Sequence, residues 1–219
     1  MCGIAGLIHR GKSSDVGNEL QLMLQALKHR GPDSTGYALY ADNDGENFIM
    51  RFKVGENVGE GSTSVNEDDS VYDKRKELVD QMLKNLNATV VKEEKLTPYS
   101  YRYEMKYDQD LMEFSKKIES IESVEILSIG KSLELIKDLG DARAVSERYD
   151  LGKVKGTHGI GHARMATESG VDIKSAHPFW GYPFSDVSVV HNGQLTNYWN
   201  NRRALENKGM RFMSECDSE

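Results

Sequence analysis

Apolar residues at Val16, Leu20, Met23, Leu24 and Leu27 recur at the 3.6-residue spacing of a half-buried helix, which Gly31 and Pro32 end. The apolar segment 3–8 ahead of it reads as a strand. Residues 37–41 and 48–54 read as two more, and Asp42-Asn43-Asp44-Gly45 between them predicts a hairpin turn. From Gly55 to about Asp69 the chain turns to Gly, Ser, Asn and acid without periodicity, which predicts an exposed linker. Beyond it, Val71, Leu78, Met82, Leu83 and Leu86 mark a helix. Tyr99, Tyr101, Tyr103, Met105 and Tyr107 then alternate with polar residues as in a half-buried strand. A helix through Leu111, Phe114, Ile118 and Ile121 and a strand over 124–129 complete an α, β, α, β run, expected to form a small α/β subdomain over 55–129 with its own core. The remainder predicts a helical stretch from Gly130 to about Tyr149 and a glycine-studded segment over 156–166. A strand over 187–191 and a helix over 197–207 ended by Gly209 follow. The last residues, Asp217-Ser218-Glu219, read as the end of a strand in a domain truncated at its C-terminus.

Composition narrows the chemistry. With 28 basic and 35 acidic side chains among 219 residues, the net charge of -7 gives no general attraction for nucleic acid or anionic membrane. No apolar run approaches the roughly 18 to 20 residues that cross a bilayer, and the start lacks the features of a secretory signal. A cytoplasmic protein acting on a small molecule or another protein is expected. In that compartment the two cysteines, Cys2 and Cys216, are free thiols.

Most free cysteines are small buried hydrophobes, but the position of Cys2 changes its chemistry. Removal of Met1 would set an α-amine, of pKa near 7.7 to 8.0, beside a thiol of about 8.5. The amine is then partly neutral at physiological pH. It can take the thiol proton and return it to a leaving amine, so nucleophile and base come in one residue.

Six segments carry a more specific signal: Met1-Cys2-Gly3-Ile4-Ala5-Gly6, His29-Arg30-Gly31-Pro32-Asp33, Gly159 through Thr167 (GIGHARMAT), Ala176-His177-Pro178, Val189-Val190-His191-Asn192-Gly193, and Ser214 through Glu219 (SECDSE). In that order they resemble the class II glutamine amidotransferases. The resemblance covers about residues 1–54 and 130–219 and leaves 55–129 as an insertion. It implies an α+β fold, the four-layer αββα sandwich of the N-terminal nucleophile hydrolases, and release of ammonia from glutamine. It further implies Cys2 as nucleophile, with Asn192 and Gly193 as oxyanion-hole donors through side-chain amide and backbone N–H. Arg164 would hold the substrate α-carboxylate, Asp217 its α-ammonium, and Thr167 would add a hydrogen bond at the amino-acid end. A guanidinium fork suits a carboxylate, and the two donors suit charge that appears only in a tetrahedral intermediate. No metal and no cofactor on this chain are implied.

The stretches 176–180 and 190–198, together with the insertion, are most similar to glutaminase subunits of the glutamate synthase and N-methylglutamate synthase group. That similarity implies a flavin-containing synthase subunit as the partner receiving ammonia. Glucosamine-phosphate synthase, asparagine synthetase and amidophosphoribosyltransferase share the glutaminase half and remain alternatives. A non-catalytic docking or regulatory module, or a self-processing hydrolase of another amide, are others.

Two further patterns weaken on geometry. His158 and His162 on one strand would lie about 13 Å apart, too far for one metal ion. Gly156, Gly159 and Gly161 precede no helix start, so they are expected to allow close backbone approach beside the substrate rather than to bind phosphate. An extended segment at 214–219 would turn Cys216 away from a site that Asp217 faces.

Overall fold

The computed structural model describes residues 2–43, 45–56, 67–165 and 173–219. Strand β1 (Gly3–Ile8) leads into helix α1 (Val16–Ala26), followed by β2 (Ser34–Ala41), β3 (Phe48–Lys53), α2 (Asp69–Asn85), β4 (Thr89–Thr97) and β5 (Ser100–Lys106). Then come α3 (Leu111–Ile118), β6 (Glu125–Gly130), β7 (Leu133–Leu139), α4 (Ala142–Arg148) and β8 (Gly156–Arg164), and last β9 (Phe179–Trp180), β10 (Ser188–Val189) and α5 (Tyr198–Glu206). The fold is mixed α and β with antiparallel sheets.

Two four-stranded sheets form, in the orders β1-β8-β2-β7 and β4-β5-β3-β6, beside the short β9-β10 pair. One face of the first sheet packs on α1 and α4 through Leu20, Leu24, Tyr37, Leu39, Ile136 and Val145. Met50, Phe52, Tyr101, Tyr103 and Met105 of the second sheet share a core with Val79 and Leu83 of α2 and Phe114 and Ile118 of α3. Ala38, Leu133 and Leu135 of the first sheet join that core.

Charge also ties the sheets together. Glu134 of β7 accepts from Arg51 Nε of β3 at 2.8 Å and Arg102 Nε of β5 at 2.9 Å. Lys137 of β7 reaches Glu125 of β6 at 3.4 Å, and Glu125 is also paired to Lys53 at 3.0 Å. Burial alone would raise the Glu134 carboxyl, but Arg51 and Arg102 hold it down at about 2.

Several expectations from the pattern change here. Strands β2 and β3 do not pair as a hairpin; they enter different sheets, and β3 lies between β5 and β6. The strands of segment 55–129 therefore close around β3, and their core runs on into the first sheet. The stretch expected to be helical from Gly130 holds strand β7 before α4 begins. The spacing of apolar residues does not announce strand β4: among the described residues it pairs with β5 alone, and it is mostly exposed, so its sequence lacks alternation. Residues 214–219 form a bend and then a turn at Asp217-Ser218, not a strand. Gly161 faces α1, since a Cβ there would lie 2.5 Å from Leu24 Cδ1. It permits helix packing, not approach to substrate.

Candidate active site

Strand β8 sits between β1 and β2, with Gly3 opposite Ala163 and Ser34 opposite Arg164. This register brings the start of the chain to the end of β8 that carries Arg164. Behind Arg164 lies the 29–33 turn. A Cβ on Gly31 would come within 2.4 Å of the Arg164 backbone, and Asp33 N–H donates to the Arg164 carbonyl at 3.2 Å. The His-Arg-Gly-Pro-Asp segment thus fixes where the guanidinium is displayed.

A cleft of about 600 Å³ opens at this end of the sheet. Cys2, Arg164, Asn192, Gly193 and Asp217 all line it. Asn192 donates its side-chain amide to the Cys2 carbonyl at 3.3 Å. Across the cleft Asp217 accepts from Leu195 N–H at 2.6 Å, so the segment after Gly193 is tied to the turn that bears the acid. Thr167, the remaining site residue foreseen from the sequence, lies outside the described residues. Cys216 lines the cleft beside Asp217, with its Sγ 3.9 Å from Asp217 Oδ1, because the segment turns instead of extending. Burial pushes the Cys216 thiol above its ordinary pKa, which keeps it protonated and a poor nucleophile.

Sequence reasoning assigns no role to the floor of the cleft. There His162 of β8 and His177 stack with ring centroids 4.6 Å apart, 2% and 7% exposed. Burial, with Arg164 nearby, pushes His162 down to about 4 and His177 to about 3, so both rings are neutral near pH 7. His162 is hydrogen-bonded to the backbone of His191, next to Asn192. Its Nδ1 and His177 Nε2 have no partner among the described residues. Lys137 donates to the Lys174 carbonyl at 3.0 Å and so anchors the segment entering His177. His158 stacks instead on Tyr40, at 3.9 Å between centroids. Among the described residues no group of three or more His, Cys, Asp or Glu could hold a metal ion.

A thiol, a guanidinium, a carboxylate and an amide donor lining one open cleft can accommodate a small zwitterion that carries a side-chain carbonyl. Comparison with known proteins points the same way. The chain is 38% identical over 233 residues to a glutamine amidotransferase of Methanothermobacter thermautotrophicus, a match spanning all of this chain and 70% of that protein. This chain belongs to the glutamine amidotransferases. The glutamine amidotransferase-like protein GlxB of Rhizobium meliloti is 31% identical over all of this chain and 67% of its own length. A glutamine–fructose-6-phosphate aminotransferase of M. thermautotrophicus matches 50% of this chain at 34% identity, over 19% of its own length. No family model matches. Among the described residues, no helix of this amidotransferase is long and apolar enough to cross a membrane.

Proposed function

We propose that the chain is the glutaminase half of a glutamine-dependent amidotransferase, with Cys2 as an N-terminal nucleophile once Met1 is removed. The observation that supports this most is the convergence of Cys2, Arg164, Asn192, Gly193 and Asp217 on one cleft, from segments as distant as the two ends of the sequence. Glutamine would lie with its α-carboxylate on Arg164 and its α-ammonium on Asp217, Thr167 adding a hydrogen bond, so that its carboxamide faces the thiol. The Cys2 α-amine takes the thiol proton and sulfur attacks the amide carbon. Asn192 and the Gly193 N–H stabilise the oxyanion. The C–N bond then breaks, and the proton held by the amine leaves with ammonia. Water attacks the γ-glutamyl thioester, releasing glutamate and restoring the thiol. One water is consumed for each ammonia formed. This half-reaction asks for no metal or cofactor on the chain, and the reading implies neither nucleic acid nor membrane as partner.

Under the same reading, the architecture is the αββα sandwich of the N-terminal nucleophile hydrolases, carrying residues 55–129 as an insertion, and the protein works in the cytoplasm. The ammonia passes to a flavin-containing synthase subunit of the glutamate synthase type. Residues 176–180 and 190–198 support that choice of acceptor. The test is direct: the processed protein releases glutamate and ammonia from glutamine, and Cys2→Ala abolishes it. Hydrolysis that survives Cys2→Ala would defeat the reading.

A further inference from the structure

The two oxyanion donors sit between two anchor points, and both lead to the same carboxylate. On the C-terminal side, Leu195 N–H donates to Asp217 Oδ2 at 2.6 Å. On the N-terminal side, His191 Nδ1 and Ser218 Oγ are 2.8 Å apart, and the Ser218 hydroxyl donates to Asp217 Oδ1 at 3.3 Å. A hydroxyl has one proton. With that proton on Asp217, His191 must donate, giving one continuous run from imidazole N–H through hydroxyl to carboxylate. The His191 ring also lies against Gly193: a Cβ on Gly193 would come within 2.6 Å of His191 Nε2. The ring therefore fixes the backbone whose N–H serves the oxyanion, and the ring is itself fixed by Ser218.

We infer that Ser218 and His191 are positioning residues that couple recognition of the substrate α-ammonium at Asp217 to the aim of Asn192 and Gly193. The inference rests on the glutaminase reading for its kinetic consequence, but the brace itself does not. An α-ammonium drawn to Asp217 holds the carboxylate that pins both ends of the 191–195 segment. The substrate class follows: carboxamides that lack an α-ammonium lose turnover as well as affinity, because the donors are then less well aimed.

The processed protein, Ser218→Ala, Ser218→Thr, His191→Ala and the Ser218→Ala/His191→Ala double variant are compared in two ways. In steady-state hydrolysis of glutamine, Ser218→Ala and His191→Ala each lower kcat by roughly five- to tenfold, with KM changed less than about twofold, as expected for one lost hydrogen bond. Ser218→Thr restores kcat, and the double variant is no slower than the slower single one. In hydrogen exchange, the amides of 191–195 open about tenfold faster in Ser218→Ala and His191→Ala but not in Ser218→Thr. Unchanged exchange in both alanine variants, a rise in KM alone, or single losses that multiply would overturn the inference. If the parent protein hydrolyses no glutamine, the functional reading fails, and hydrogen exchange still decides whether the brace exists.

Discussion

Asn192 and Cys2 stand 190 positions apart in sequence, yet the amide of one donates to the carbonyl of the other at 3.3 Å. The donor proposed for the oxyanion is thus held against the residue proposed to generate that oxyanion. Because Asn192 is exposed and its amide serves no core contact, its removal separates catalysis from folding.

Asn192→Ala is expected to lower kcat for glutamine by about two orders of magnitude, on the order of 3 kcal/mol, as for other oxyanion donors. Its urea midpoint should match that of the parent within error. Equal kcat in parent and variant would remove Asn192 from the mechanism.

Arg164→Lys keeps the charge but loses the planar fork. The expected outcome is a rise in KM for glutamine of about tenfold or more, from the loss of a paired charge-assisted contact. Steady-state kinetics at several glutamine concentrations measure it, and an unchanged KM would place the α-carboxylate elsewhere.

Stability should fall in mild acid because of the stacked pair under the cleft. Burial depresses His162 from 6.5 to about 4 and His177 from 6.5 to about 3. The unfolded chain therefore binds more protons than the folded one in this range. The stability is fully present above about pH 6.5, is lost as pH falls through that value, and levels off near 3 to 4. Each ring contributes up to about 1.4 kcal/mol per pH unit within its window. Denaturant titrations at pH 7, 6 and 5 should show the slope, and His177→Gln should flatten it. A slope identical in parent and variant would exclude His177 as a source.

Arg51→Met tests the ionic tie between the sheets. It leaves buried Glu134 with Arg102 as its remaining guanidinium partner, so the expected loss is about 2 kcal/mol, short of the roughly 3 to 5 kcal/mol of an uncompensated buried charge. Chemical denaturation measures the loss. A cost below about 1 kcal/mol would mean that the network is structurally idle.

The same ionic layer explains which elements the sequence conceals. Strand β7 carries Glu134, Lys137 and Asp138, all buried, so charge falls where a strand pattern calls for apolar residues, and the segment reads as a helix. Their partners lie on other strands, in loops or, for Asp138, at Arg148 on α4, and no local pattern announces them. By contrast, α2 and β5 bury uncharged rows of side chains and are legible from spacing alone. The cleft residues are legible for a different reason: they fall in short motifs whose order survives the intervening 55–129 segment. His177 and Ser218 also stand inside those motifs. Their contacts to His162 and His191 come from packing between segments, which residue order does not reveal.

If the α-amine and thiol of Cys2 act together, two forms of the protein, resolved by intact mass, must differ in turnover. One form begins at Cys2; the other is extended by one residue ahead of it, leaving the thiol but moving the amine. Glutamine hydrolysis is expected only from the first, with a γ-glutamyl adduct trapped on Cys2. Equal turnover by the extended form would mean that the Cys2 amine takes no part in the reaction.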